Sequence, residues 1–367
     1  MRRRFHRLAI FLSLLLFPLA AHAQTIDLAS GGADQVWIGP EANAAAGTWL
    51  DQGAVSNGDT RRDLIVGAPG TTGIPGRVFV IFGGPVKTGT IDLNTADVVI
   101  TGAGAGDGFG FTTAAGNIWN TEGSIPRALV VGAPNSGAGN AGKVYLFRGG
   151  FGGGETLTAA DALLEIRGLP GDQLGSSLAT ADLNDDGYRE IIMGAPGNNR
   201  VYVVNGAASL DHAGPTTVLD LAATPAAVTL TGTAIGAVLS AGDATGDGIY
   251  DIVLGAPNAN VTYIIKGRSS GTFPAVWNLA TTSADITLVG TTTGDRLGAS
   301  LRILDIDGDA RRDLLLGAPG GDGPNESRID SGEIYGLLGS TLSALAAIPS
   351  AVYHMSSANL RFYGEAA

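Results

Sequence analysis

The chain has 367 residues, 57 of them glycine and none cysteine, with 22 Lys+Arg against 34 Asp+Glu. The lack of thiols excludes disulfides and thiolate metal or redox sites. The acidic balance argues against nucleic acid or an anionic membrane as partner and favours cations.

Arg2, Arg3, Arg4 and Arg7 precede an apolar stretch, residues 8–19, broken only by Ser13 and Pro18; Ala21-His22-Ala23 follows as a small-x-small site. This is the pattern of a secretory signal peptide cut after Ala23, and the stretch is too short to span a bilayer. Removing its four basic residues leaves 18 − 34 = −16 on an exported chain, secreted or periplasmic. No later stretch is long and apolar enough to cross a membrane.

Residues 24–367 read as one repeat array. Gly-Ala-Pro occurs at Gly67, Gly132, Gly194, Gly255 and Gly317, at intervals of 65, 62, 61 and 62 residues. Such a period marks stacked structural units. Each copy closes an apolar run, such as Leu64-Ile65-Val66 or Ile191-Ile192-Met193. Ahead of it lie an outer strand ending in Gly, a Gly-Asp-x-apolar-Gly turn (at Gly106, Gly171 and Gly294) and a strand of small residues. A further strand such as Lys143-Val144-Tyr145-Leu146-Phe147 closes the unit. The strands are short, rich in β-branched and aromatic residues, and bounded by Gly, Pro, Asn and Asp. The fold class is therefore all-β: a β-propeller of four-stranded antiparallel blades. The apolar second strand is expected to be buried on both faces.

Five full repeats are expected, at about 25–89, 90–155, 156–216, 217–271 and 272–340, with a partial outer-strand repeat at 341–367. There are five inner triplets but six candidate outer strands, the first at Gln35-Val36-Trp37-Ile38-Gly39 and the last at Leu360-Arg361-Phe362-Tyr363-Gly364. The favoured closure is a ring of the five visible units with one redundant strand; the alternatives are six blades, one of them defective, or an open fragment completed by a partner. One short helix is expected at 341–348, stopped by Pro349.

Before the last three apolar runs, nine-residue loops place oxygen side chains at positions 1, 3, 5 and 9. They are Asp182, Asn184, Asp186 and Glu190; Asp243, Thr245, Asp247 and Asp251; and Asp305, Asp307, Asp309 and Asp313. The backbone carbonyl at position 7 (Tyr188, Ile249 or Arg311) can add another oxygen. Carboxylates packed this closely repel one another without a cation, and Ca²⁺ takes roughly six to eight hard oxygens. Three Ca²⁺ ions are expected. Position 6 needs a sharp turn and is Gly187 or Gly248, but Ala310 in the last loop. The first copy is degenerate, with Asn57, Asp59 and Asp63 in register but Val55 at position 1 and Thr60 at position 6. The second (Asn120, Glu122, Ser124, Pro126, Ala128) is expected to hold no ion.

The Phe-Gly turn, the acidic loop and Gly-Ala-Pro, iterated in fixed order, resemble FG-GAP repeats, the blades of the integrin α-subunit propeller and of many bacterial exported proteins. The resemblance covers essentially all of residues 24–367. It implies that the Phe-Gly turn leads into the innermost strand, that the cation loop joins the first two strands, and that ligands meet the loop face opposite the ions.

No catalytic constellation stands out. His212 and His354 fit no triad or zinc spacing, and Gly267-Arg268-Ser269-Ser270-Gly271 lacks the helix a nucleophile elbow requires. Asn260 and Asn325 head glycosylation sequons. The expectation is a non-enzymatic adhesion or ligand-binding module for a protein or glycan partner. The alternatives are an enzyme or enzyme-associated propeller acting on polysaccharide or lipid, and a structural repeat of a larger surface protein.

Overall fold

The computed structural model describes residues 35–56, 60–71, 73–84, 89–119, 127–210, 216–269 and 273–364. The leader and His212 lie outside them, as do Asn57, Asp59 and residues 120–126 of the two degenerate loops. Strands dominate, with one short α-helix at Gly339–Ala346. That helix begins and ends two residues earlier than the expected span. Its first N–H, of Gly339, is held by the buried Asp313 carboxylate at 2.7 Å.

Five blades form. From the axis outward the first four strands are antiparallel neighbours: in the second blade Thr112–Gly116, Ala128–Ala133, Lys143–Phe147 and Leu164–Arg167. The second strand is buried along its whole length in the second, third and fourth blades, as its unbroken apolar run requires. The five innermost strands surround one axial cavity of about 440 Å³.

Four blades carry a fifth strand, added parallel to the outer edge. Glu155–Thr158 pairs with Val98–Ala105, Thr217–Asp220 with Leu164–Arg167, Val276–Asn278 with Val228–Thr231, and Ala351–His354 with Ile286–Val289. Each comes from the segment that has already begun the next blade. Gly89–Asp92 pairs in the same parallel way with Gln35–Ile38, and among the described residues this two-stranded sheet is an outer pair without inner strands of its own.

The repeated glycines explain how blades lock together. A Cβ added at Gly67, Gly132, Gly194 or Gly255 would collide with the carbonyl oxygen of Gly110, Gly175, Gly236 or Gly298, the last residue of the next blade's turn. Thr112 and Ser177, cross-strand partners of Gly132 and Gly194, donate their hydroxyls to the Gly175 and Gly236 carbonyls at 2.7 Å. The apolar turn residues Phe109, Leu174, Ile235 and Leu297 are fully buried there. Phe109 lies 5.5 Å from the Tyr145 ring and 6.2 Å from that of Phe147. Burying one such side chain contributes roughly 2–3 kcal/mol. Beside each glycine the row continues outward through Val78 and Ile100, Val144 and Ile166, Val201 and Leu230, or Thr262 and Leu288. All eight are fully enclosed.

Two of these turns carry no sequence match to Gly-Asp-x-apolar-Gly. Ile235-Gly236 follows Thr233, and Ala46-Gly47 follows Ala44, yet Gly236 and Gly47 have the same positive φ as Gly175 (95°, 85° and 90°). Where the Asp is present it is a buried anchor. Asp172 accepts from Leu169 N (2.9 Å), Asn198 Nδ2 (2.7 Å) and Tyr202 Oη (2.8 Å).

Apolar clusters join each successive pair of blades, first to second through fourth to fifth. Among the described residues no such cluster joins the fifth blade to the first; their inner strands both line the axial cavity. The inner triplets run out one blade short of the outer strands.

Candidate metal centres

Each full acidic loop joins the first and second strands of its blade, between Ser177–Ala181 and Glu190–Ala195, Val238–Gly242 and Asp251–Ala256, and Ser300–Leu304 and Asp313–Ala318. One hydrogen-bond frame recurs in all three. The position-1 carboxylate accepts amides across the turn: Asp182 from Asp186 and Gly187 (3.2 and 2.9 Å), Asp243 from Gly246, Asp247 and Gly248 (2.7, 3.1 and 3.0 Å), and Asp305 from Gly308 and Ala310 (2.7 and 3.0 Å). The position-5 carboxylate accepts the position-7 amide: Tyr188 on Asp186 at 2.9 Å, Ile249 on Asp247 at 3.1 Å, Arg311 on Asp309 at 2.8 Å. These are Asx turns, in which a short acceptor closes on the backbone two residues on.

The residue at position 4 is left-handed in every loop, as Asp185 (φ 60°), Gly246 (75°) and Gly308 (79°). The recurrence of glycine there in two loops was the available sequence signal. Position 6 is left-handed as expected, at Gly187, Gly248 and Ala310 (φ 90°, 90° and 68°). The Ala310 Cβ is strained in that region by about 1 kcal/mol. Ala310→Gly is therefore expected to stabilise the chain by about that amount in denaturant titration; an unchanged midpoint would show that the loop has relaxed around the methyl.

Position 9 has a duty the sequence did not reveal. Asp251 is fully buried and accepts from Thr245 N at 2.9 Å and Gly267 N at 3.0 Å, tying the loop to the exit of the third strand. Asp313 does the same with Ile306 N (2.6 Å) and Gly339 N (2.7 Å). Glu190 accepts only from Leu183 N, at 2.7 Å. Its Oε1 is buried with no partner, and Glu190 and Asn184 both line a cavity of about 130 Å³ between the third and fourth blades. Burial, reinforced by the charges of Asp186 and Asp182, pushes the Glu190 carboxyl up to about 8 against the pull of the Leu183 amide. Burial pushes Asp251 up to about 7, against the Gly267 and Thr245 amides and with Asp247 adding to the rise.

Ligand atoms of Asp305, Asp307 and Asp313 lie within 4.8 Å of one another, the tightest convergence of acidic groups among the described residues. The other two loops do not bring three carboxylates so close: Asn184 and Thr245 occupy position 3, and Asp247 turns to the Lys266 ammonium at 3.2 Å. In the first blade the Asp63 carboxylate is occupied by protein donors, from Val55 N (2.8 Å), Ser56 N (2.9 Å), Gly83 N (3.0 Å) and Ser56 Oγ (3.2 Å). The donor set of the three full loops fits a hard cation: oxygen acceptors on adjacent alternate positions, left-handed corners, and at Glu190 a buried oxygen lacking a donor.

The remaining sequence candidates are placed elsewhere. His354 is exposed at the end of an outer strand. Around Gly267 and Arg268 the chain passes from strand Val261–Ile265 to strand Val276–Asn278, with no helix among the described residues between them. The Asn260 side chain is engaged by Leu297 N (2.9 Å) and Thr292 O (2.6 Å) in the next blade's turn. No helix among the described residues is long and apolar enough to cross a membrane.

Comparison with known proteins agrees with this architecture. The FG-GAP repeat model matches residues 174–210 and 235–272, each match starting at the plugging residue of a turn and running through an acidic loop. Similar proteins include integrin alpha-4 of Xenopus laevis, 28% identical over 274 residues covering 70% of this chain and 23% of that protein. Human integrin alpha-7 is 33% identical over 132 residues, 34% of this chain and 10% of that one. Rat phosphatidylinositol-glycan-specific phospholipase D is 30% identical over 180 residues, 44% of this chain and 20% of the enzyme. The chain thus spans a quarter or less of the length of these relatives. Sheet architecture, turn geometry and repeat matches converge: the chain carries FG-GAP repeats in an all-β propeller and is similar to integrin α subunits.

Proposed function

We propose that this is an exported Ca²⁺-binding propeller that acts as a non-enzymatic ligand-binding or adhesion module for a protein or glycan. The observation that carries the metal reading is one hydrogen-bond frame repeated in three loops, with acceptors crowded together and the Glu190 oxygen left without a donor. Asp182, Asn184, Asp186 and Glu190 would hold one ion, Asp243, Thr245, Asp247 and Asp251 a second, and Asp305, Asp307, Asp309 and Asp313 a third. The carbonyls of Tyr188, Ile249 and Arg311 are available as further oxygens. Bound Ca²⁺ would neutralise each loop and fix it to its blade. Ligands would then meet the opposite loop face, where the Phe-Gly and Gly-Ala-Pro turns lie.

Calcium counting on the purified chain is expected to give three ions, and Ca²⁺ to raise Tm relative to chelator, because an ion bound only to the folded state stabilises it. Identical melts with and without chelator would defeat the metal reading. The pH dependence has a definite sign. In ion-free protein the raised carboxyls of Glu190 and Asp251 bind protons more tightly folded than unfolded, so stability falls as pH rises from about 5 to about 8. Calcium removes that fall by expelling those protons, so its affinity rises over the same range.

Glycan and matrix-protein arrays test the adhesion reading. The second reading, a propeller that serves an enzyme on lipid or polysaccharide, is favoured by the similarity to the phospholipase D. Hydrolysis of either substrate by the chain with its loops intact would select it.

A further inference from the structure

We infer that the fifth blade presents a preformed docking face for one further blade, supplied as a polypeptide segment of three strands entered by an apolar-Gly turn. The socket that locks blades together is present a fifth time. Ser300 pairs with Gly317 as Ser177 pairs with Gly194. At Gly194 an added Cβ meets the incoming Gly236 carbonyl; at Gly317 it meets only atoms of Ser300. The row beside it runs through Ile334 and Phe362, which are 46% and 50% exposed although their counterparts in the other four blades are all fully buried. A groove of about 510 Å³ opens over Gly317, Pro319, Ile334 and Phe362.

The other side of the gap is open at its innermost strand; Val66 and Phe79, next in the same row, are buried with Leu93. Leu50, on the first blade's inner strand, is 58% exposed, whereas at the same place Thr113, Leu178 and Leu301 are buried and Leu239 is half-buried. Gly47 has the left-handed conformation of a locking turn, with open space where Gly110, Gly175 and Gly298 touch a preceding blade. Between the two faces stands the strand Gln35–Ile38, capped by Gly89–Asp92 as the fourth strands of the first four blades are capped, yet with no third strand on its inner side among the described residues. The space is therefore bounded by a socket, an exposed innermost strand at Leu50 and a free strand edge, and three antiparallel strands satisfy all three at once. A second copy satisfies only the socket, because its first blade already has its own fourth strand.

The probe is a second copy of residues 171–204, a turn with three strands, fused through a flexible linker after Ala367. Calcium-saturated fused chain is expected to melt about 5 °C or more above the unfused chain. Gly317→Ala restores the Cβ that occupied sockets exclude. It is expected to abolish this gain while moving the unfused Tm by about 1 °C or less. Phe362→Asp, on the exposed row, is expected to abolish the gain as well. Equal Tm for fused and unfused chains, or a gain that survives both substitutions, would overturn the inference. So would a concentration-dependent dimer of the unfused chain that Gly317→Ala abolishes, since the occupant would then be a second copy.

Discussion

Gly194→Ala is expected to lower folding stability by about 3 kcal/mol, at the upper end of what overpacking costs. The added methyl would strike the Gly236 carbonyl and the Ser177 hydroxyl. Ser177 can rotate, although that forfeits its 2.7 Å bond to the same carbonyl. Gly236 cannot yield alone, because its turn buries Ile235 in the core between the third and fourth blades. Relief therefore requires two blades to separate slightly along their whole interface. The control is built into the fold: the same change at Gly317, where no carbonyl approaches, is expected to cost under about 0.5 kcal/mol. Equal losses at the two sites, in denaturant titrations with calcium present, would show that the Gly-Ala-Pro glycine serves its own strand rather than the blade junction.

The second large effect separates a structural carboxylate from a metal-binding one. Asp63→Ala strips three backbone amides, those of Val55, Ser56 and Gly83, of their acceptor at a site 1% exposed. The expected loss is about 3 kcal/mol, the same in calcium as in chelator. Asp251→Ala strips Thr245 and Gly267 in the same manner. It is expected to cost about 3 kcal/mol in chelator, more in calcium, and to reduce the calcium count from three to two. If Asp251→Ala keeps three ions, position 9 is a backbone staple only and the ligand set proposed for that loop is wrong.

Features written locally could be read from the residues. The second strands are continuous β-branched runs ended by Gly-Ala-Pro, and they are the most buried elements of the fold. The acidic loops fall between the first two strands, and the surplus of outer over inner strands was countable. What escaped was non-local. Glu155–Thr158 and Thr217–Asp220 are four-residue segments with polar residues at both ends, and their partners lie more than fifty residues earlier. An edge strand with one exposed face needs no apolar run, so nothing marks it in a window of sequence. The turns at Gly47 and Gly236 were hidden because Ala44 and Thr233 replace the aspartate. Spacing would have found one of them: Gly236 stands 19 residues before Gly255, as Gly175 does before Gly194. The amide-binding role of Asp251 and Asp313 was hidden because Gly267 and Gly339, which donate to them, follow a further strand.

The parallel fifth strand sets a schedule for acquiring structure as the chain is delivered from its N-terminus. The first blade cannot cap its outer edge until Thr158 has emerged, by which point Lys143–Phe147 of the second blade is already available. The same lag recurs through the fourth blade, so each of the first four blades is sealed by its successor and none of those four matures alone. A single backbone cut between Leu210 and Thr216 would leave Thr217–Asp220 still stitched to the second blade. The two fragments are thus held by interleaved sheet pairing, and such a nicked chain should stay associated and melt as one body.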